Sequence, residues 1–417
     1  MNLRLKRLVV KTICHKFPNF RCQPTQDSGI VEIFPIKVKM SNEKFKRLNL
    51  IIPSINEEHV FGGITTAITL FEELLKKLPR EFYARVIITD ATIVNPINRF
   101  KEYSFLSMSD ESNSKLQVVS CNNRKNKRLS IVESDIFLAT AWWTAHIAKQ
   151  LLIEQQNNFL FSYPLIYLIQ DFEPCFYNWS ARYALADATY ENEDRTIAIF
   201  NSIELKDYMN NNNYIFLKEY YFLPKMNDKL KNIWMQENVN NKKKQLIVYG
   251  RPSVDRNLFP ILVMALKIWV KNQPDIMDWT LLSLGEKHED INLGRGIILN
   301  SKGKLSLENY AKVLLESALG VSLMLSPHPS YPPLEMAFFG ILTVTNNYAN
   351  KNLSRMHKNL FTVESCKPSE IADRLLIVAK SLEMNKDKKI GILDKSFIET
   401  RQEFDFLNSL VGDLLNE

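Results

Sequence analysis

Short apolar runs alternate along this chain with longer stretches whose apolar residues recur at helical spacing. In the first half, 46–54, 83–90, 115–121, 134–141, 164–171 and 196–202 read as strands, and 67–78, 142–155 and 181–190 as helices. A polar stretch, 226–244, follows Pro224 and interrupts the pattern. The alternation then restarts, with strands at 245–250, 279–285, 296–301, 341–346 and 359–363 and helices at 258–271, 306–317 and 368–382. Strands alternating with helices predict parallel sheets covered on both faces. The expectation is an α/β protein of two doubly wound, Rossmann-like domains, 42–222 and 223–385. A basic arm (1–41) precedes them, and a segment at 386–417 follows, its 395–415 stretch an amphipathic helix packing back toward the first domain. Ligands of such sheets bind beyond the strand C-termini, so two facing edges predict a substrate cleft.

One stretch stands out, SLMLSPHPSYPPLEMAFFG, ending at Gly340. Val321 to Leu325 reads as a buried strand, and 332–339 as a helix with Ser330 as N-cap and Gly340 as stop. A strand leading into a helix N-terminus makes an anion site. Pro332 and Pro333 have no N–H, which leaves the amides of Ser330, Tyr331 and Leu334 to bind a phosphate. Glu335 is expected in the first turn, ionised by the helix dipole and able to accept from sugar hydroxyls.

Composition narrows the class. The chain has 417 residues, 46% hydrophobic and 24% charged, as a globular protein of two domains would. No apolar run reaches the roughly 18 residues of a membrane span, and no secretory signal is legible. Five scattered cysteines without CxxC spacing predict reduced thiols in the cytoplasm and no zinc. The net charge of +7 is concentrated early: Arg4, Lys6, Arg7, Lys11, Lys16 and Arg21 fall within the first 24 residues, with apolar residues between them. That arm reads either as a solvated extension or as a contact to an anionic membrane surface. No nucleic-acid motif accompanies it.

The candidate chemistry sits at strand ends. Gly62-Gly63 opens the first helix, where paired glycines leave amides free; a tight turn is the plain alternative. Arg251 and Arg256 in YGRPSVDRN end the first strand of the second half and suit a diphosphate. Lys302 and Lys304 follow another strand and add charge. Asp171 and Glu173 in YLIQDFEPCFYNW offer a general base, a hydroxyl anchor or a metal pair, and at spacing two they should point to opposite faces. Phe172, Phe176, Tyr177 and Trp179 form either a sugar-stacking wall or a loop core. His146 reads as packed, and His328 lies in the suspected site.

These features resemble a GT-B glycosyltransferase: two Rossmann-like halves, a GG turn, an Arg-x4-Arg after the second half's first strand, and PLEMAFFG late in the chain. More narrowly, SINEEHVFGGITTA, YLIQDFEPCFY and SPHPSYPPLEMAFFG resemble the WsaF-type rhamnosyltransferases of bacterial S-layer glycan assembly. The resemblance implies transfer of L-rhamnose from dTDP-β-L-rhamnose to a growing rhamnan, free or lipid-linked, with retention and a β-1,2 linkage. It implies no metal and no cofactor besides the donor substrate. The second half would bind donor through Arg251, Arg256, Lys302, His328, Ser330, Tyr331 and Glu335, with Gly62 and Gly63 of the first half lining the donor's other side. The first half would bind acceptor through Asp171, Glu173 and Tyr177. Arg251, Glu335 and Asp171 are the candidate catalytic residues. The related Glu-x7-Glu motif of the broader family is broken, because Pro327 replaces its first glutamate, which fits a different sugar pose, with His328, Ser330 or Tyr331 as candidates to hold the sugar. Another nucleotide-sugar hexosyltransferase, a nucleotide-sugar 2-epimerase and a non-catalytic assembly partner are the alternatives.

Overall fold

The computed structural model describes residues 29–60, 62–191, 193–236, 242–384, 395–399 and 403–415. Residues 1–24 of the basic arm lie outside them. The chain divides into two compact units. One comprises the part up to Ile64, Glu81–Ala139 and Trp143–Tyr163; the other comprises Thr65–Arg80, Thr140–Trp142 and everything from Pro164 on.

The first sheet has eight strands, in the edge-to-edge order Phe216–Tyr221, Glu193–Phe200, Leu165–Ile169, Asp135–Ala139, Arg47–Ile52, Tyr83–Ile88, Leu116–Ser120 and Ser104–Ser107. Pairings run parallel from Phe216–Tyr221 to Leu165–Ile169 and from Asp135–Ala139 to Ser104–Ser107. The strand Arg47–Ile52 is buried at every position, as a parallel strand covered on both faces must be. Its polar residues are satisfied internally. Arg47 grips Asp135 with two hydrogen bonds of 2.7 and 2.9 Å, Asn49 donates to the same carboxylate at 2.9 Å, and Arg85 donates to Asn49 at 2.6 Å. Burial raises the Asp135 carboxyl, but the Arg47 and Arg85 guanidiniums outweigh it and hold the group below its usual value. Gln155 adds donors to the carbonyls of Val132, Glu133 and Asp135.

The second sheet has seven strands, ordered Ile291–Gly294, Ile297–Gly303, Thr280–Gly285, Lys243–Gly250, Ser317–Val321, Leu342–Asn346 and Leu360–Val363. All are parallel except the edge strand Ile291–Gly294. Chain order starts at the centre, moves to one side, and then crosses to the other. The reversal falls between Lys243–Gly250 and Ser317–Val321, and ligands bind at such a switch point. Helices Phe259–Asn272 and Pro368–Met384 pack on one face through Leu262, Leu266, Trp269, Ile371 and Leu375. Helices Asp228–Gln236, Leu307–Glu316 and Tyr331–Phe338 cover the other face.

Several expectations need correction. The apolar run 321–325 is a strand only at Val321; Ser322 to Ser330 form a loop. Its buried backbone is satisfied by side chains from elsewhere, a source of stability that an apolar pattern does not reveal. The polar stretch 226–244 contains the helix Asp228–Gln236, anchored by the buried Leu230, and the strand that follows starts at Lys243. The helix 181–190 stops at Asp187. The tail is helical at Leu407–Leu415, whereas 403–406 form turns. That helix segment lies by the edge strand Phe216–Tyr221, where Tyr220 donates to Asp413 and stacks on Phe406 at 5.1 Å. The helix Ile203–Asn211 and strands Phe216–Tyr221, Ser104–Ser107 and Ile291–Gly294 were not foreseen.

Candidate functional site

The switch point places two loops side by side, one after Gly250 and one after Val321. Gly250 is required by crowding: a Cβ there would lie 2.2 Å from Ser283 Oγ and 2.8 Å from the Phe259 ring. Arg251 follows, half-buried, and its guanidinium makes no hydrogen bond among the described residues. Glu286 lies within electrostatic reach of it. Hydrogen bonds from the Ser253 amide and hydroxyl hold the Glu286 carboxyl below its usual value. Arg256 is differently placed. Its guanidinium lies over the Phe176 ring at 4.0 Å, and one nitrogen is 3.6 Å from Asp171 Oδ2. Its Nε is buried without a partner. The two arginines are therefore not an equivalent pair: Arg251 is free, and Arg256 is held by a carboxylate and a ring.

The loop after Val321 is clamped in place. Asn346 accepts from the Met324 amide at 2.7 Å and donates to its carbonyl at 3.1 Å. Lys351, only 1% exposed, donates to the same carbonyl at 3.0 Å. The Leu325 amide donates to the Arg256 carbonyl at 2.9 Å, which joins the two loops directly. Burial lowers the Lys351 ammonium to about 8, with the nearby Asp171 opposing that fall. Ser326 donates its hydroxyl to Asp171 Oδ1 and accepts from the His328 amide at 3.0 Å. Asp171 also accepts from the Phe172 amide at 2.9 Å.

His328 is 5% exposed. Its Nδ1 accepts from the Ser330 amide at 3.0 Å, so the ring proton sits on Nε2, which is buried with no partner. Burial lowers the imidazole to about 4, so the ring is neutral. The Tyr331 ring lies 5.9 Å away. Ser330 stands before the helix Tyr331–Phe338, but with φ of 69° its side chain makes no capping hydrogen bond, contrary to expectation. The strained left-handed backbone turns the Ser330 amide toward His328 instead.

Glu335 also departs from expectation. The helix begins at Tyr331, so Glu335 lies past its first turn, where the dipole is weak. Crowding wins: burial pushes the carboxyl up to about 7, against the Tyr310 hydroxyl, which donates to it at 2.9 Å. Glu335 is thus poised between ionised and neutral, not held ionised.

Asp171 and Glu173 do point different ways. Asp171 meets Ser326 and Arg256, whereas Glu173 starts the turn Glu173–Phe176 and accepts from the Trp142 amide and, at 3.4 Å, the Tyr167 hydroxyl. Burial raises the Glu173 carboxyl to about 8. The Tyr177 hydroxyl accepts from Trp142 Nε1 at 2.9 Å, so both of these proposed acceptor residues make contacts inside the fold. Lys302 lies exposed on the strand Ile297–Gly303, and Lys304 just beyond it. In the first unit, Gly62 has φ of +52° and Gly63 opens the helix Gly63–Lys77. His146 is half-buried and paired with Gln150 at 3.1 Å.

The structure thus brings Asp171, Arg256, His328, Ser330 and Tyr331 together. Sequence reasoning missed Ser326, Tyr310 and Lys351. Ser326 was within the motif and readable. Lys351 follows a strand C-terminus, which was its one signal, and Tyr310 had none because it reaches Glu335 from another helix.

Three comparisons place the chain. A sucrose-phosphate synthase from Thermosynechococcus elongatus superposes with a TM-score of 0.54 at 12% identity, over 89% of this chain and 98% of that one. An alpha,alpha-trehalose-phosphate synthase (UDP-forming) from Burkholderia vietnamiensis gives 0.53 at 8% identity, over 89% and 99%. These likenesses show the GT-B fold. The O-antigen biosynthesis protein RfbC of Myxococcus xanthus is 28% identical over 243 residues, which are 58% of this chain and 18% of that protein's length. Residues 47–203 match the WsaF N-terminal domain and residues 244–376 the WsaF C-terminal domain. With both of its domains matched in order across the two sheets, the chain belongs to the WsaF family.

Proposed function

We propose that this protein is a metal-independent rhamnosyltransferase that moves L-rhamnose from dTDP-β-L-rhamnose to a growing rhamnan in S-layer glycan assembly. Family membership and the GT-B fold support a nucleotide-sugar donor and a glycan acceptor. The name of the Myxococcus relative supports a role in polysaccharide biosynthesis. The observation that carries the reading is a set of unengaged donors at the second sheet's switch point. They are the Arg251 guanidinium, the buried Arg256 Nε and the buried His328 Nε2. Buried donors without partners are costly, and a ligand rich in acceptor oxygens relieves that cost.

In this reading Arg251 and Arg256 meet the diphosphate and stabilise the charge that develops as it leaves. His328 donates from Nε2 to a donor-sugar oxygen, taking over from the glutamate that Pro327 replaces. Ser330 and Tyr331 border the sugar, Glu335 accepts from the ribose, and Lys302 adds charge to the donor's surroundings. Asp171, freed from Arg256 when the diphosphate binds, receives the acceptor hydroxyl, with Glu173 and Tyr177 shaping the loop behind it. The basic arm is proposed to rest on the cytoplasmic membrane face; among the described residues no helix is long and apolar enough to cross a membrane.

The test is transfer by purified protein from dTDP-β-L-rhamnose to synthetic rhamnose-terminated acceptors, followed by mass spectrometry in the presence of a chelator. A product extended by one deoxyhexose supports the proposal. Turnover of donor to an isomeric nucleotide sugar without acceptor would make the protein an epimerase.

A further inference from the structure

We propose that Trp179 and Tyr183 form a stacking platform for a pyranose ring of the acceptor glycan, lying along the chain from Asp171. This rests on the glycosyltransferase reading above and extends it to a subsite for sugars beyond the acceptor's reacting end.

Trp179 is 93% exposed. Its ring partner is Tyr183, stacked at 5.4 Å with an interplanar angle of 14°. The pair is built, not incidental. Ser180 caps the helix Ala181–Asp187 by accepting from the Tyr183 amide at 3.3 Å, which fixes the tyrosine next to the residue before the cap. Upstream, the same segment is tied down at each step: Asp171 to Ser326, Phe176 beneath Arg256, and Tyr177 to Trp142. The indole therefore stands at a set distance from the proposed reacting end.

An apolar residue before an N-cap commonly staples the helix start. A staple hides its side chain, whereas this indole leaves nearly all its surface in water, an expense that a purely local role does not explain. A protein partner is disfavoured by the positions beside it in the chain, because the polar Asn178 and Ser180 flank the indole and are exposed. One flat aromatic surface set among polar groups suits a pyranose. The sugar's C–H face carries partial positive charge toward the negative ring face, while its hydroxyls stay in water. A 6-deoxyhexose adds a methyl group to the same apolar face.

The experiment compares wild type, Trp179→Ala and Trp179→Phe with a rhamnose disaccharide and a longer rhamnose oligosaccharide as acceptors. In Trp179→Ala the KM for the longer acceptor is expected to rise about tenfold more than that for the disaccharide, as loss of one aromatic stacking contact would give. Trp179→Phe should recover most of the loss, and dTDP affinity should match wild type. KM values that shift equally for both lengths, or not at all, overturn the platform. If wild type transfers no rhamnose, saturation-transfer NMR with rhamnose, mannose and glucose oligosaccharides separates the two ideas. Glycan binding that is lost in Trp179→Ala keeps the platform and discards rhamnose as the substrate. Glycan binding that survives Trp179→Ala, or no binding by wild type, discards the platform.

Discussion

Replacing Glu335 with glutamine should make the protein more stable and a poorer enzyme. In the folded chain the carboxyl sits at about 7, against 4.5 unperturbed. Folding therefore takes up a proton between those values, and stability falls as pH rises through that window. Full ionisation above it costs the folded state roughly 3 kcal/mol, and about 2 after allowing for the side chain's partial exposure. Glutamine keeps the shape and the acceptor for Tyr310 without the charge. Glu335→Gln should nearly match wild type in urea denaturation at pH 4 and exceed it by about 2 kcal/mol at pH 8, with an unchanged m-value. Donor binding should move the other way. A hydroxyl bonded to a carboxylate contributes about 1.5–3 kcal/mol, so dTDP affinity should drop by tenfold or more at pH 8. At pH 6 only about a tenth of the wild-type carboxyl is ionised, so the gap between the two proteins should narrow about tenfold. Taking the ratio of the two proteins at each pH cancels titration of the nucleotide itself. Equal stability at pH 8 would show that burial does not penalise this carboxylate. Equal dTDP affinity at every pH would remove Glu335 from the ribose.

Arg251→Ala should weaken dTDP by about 1.5–3 kcal/mol in calorimetry and leave thymidine nearly unaffected, because the free guanidinium serves the phosphates; equal losses for both ligands would contradict that role. Asp135→Asn leaves Arg47 and Arg85 buried without their counter-charge, so it should cost about 3–5 kcal/mol in denaturation, with kcat/KM per folded molecule retained. Deleting residues 1–24 should abolish sedimentation with anionic vesicles at low salt and spare transfer to a soluble acceptor; unchanged sedimentation would reduce the arm to an extension.

Much of the architecture was readable because a parallel strand buried on both faces leaves a near-continuous apolar run. Leu246 to Val248 and Ile136 to Ala139 are such runs, and both were placed within a residue or two. The same signal misled at 322–325, since a buried loop whose backbone is satisfied by Asn346, Lys351 and Arg256 is equally apolar. Motif positions were legible as well: Arg251, Arg256, His328 and Glu335 come to the ends of the second sheet. Their electrostatic states were not. Glu335 reads as a dipole-stabilised anion until Tyr310 and the crowding around it are seen, and Arg256 reads as free until Asp171 arrives from far along the chain. Charge state depends on neighbours distant in sequence, and spacing within one segment carries no record of them.

The orientation of the His328 ring restricts proton traffic during transfer. Its one lone pair is occupied by the Ser330 amide, and the ring resists protonation down to about pH 4. An imidazole in that condition can offer a hydrogen bond but cannot take a proton from a sugar. If an acceptor hydroxyl is deprotonated beside this loop, the proton must go elsewhere: to Asp171, to Glu335 or to an oxygen of the departing diphosphate. Of these, the diphosphate is renewed with every donor molecule and needs no side chain to be reset. In the proposed transfer, the ring orientation set by the Ser330 amide thus leaves the departing diphosphate to carry away the proton that the acceptor hydroxyl loses as its oxygen bonds to the sugar.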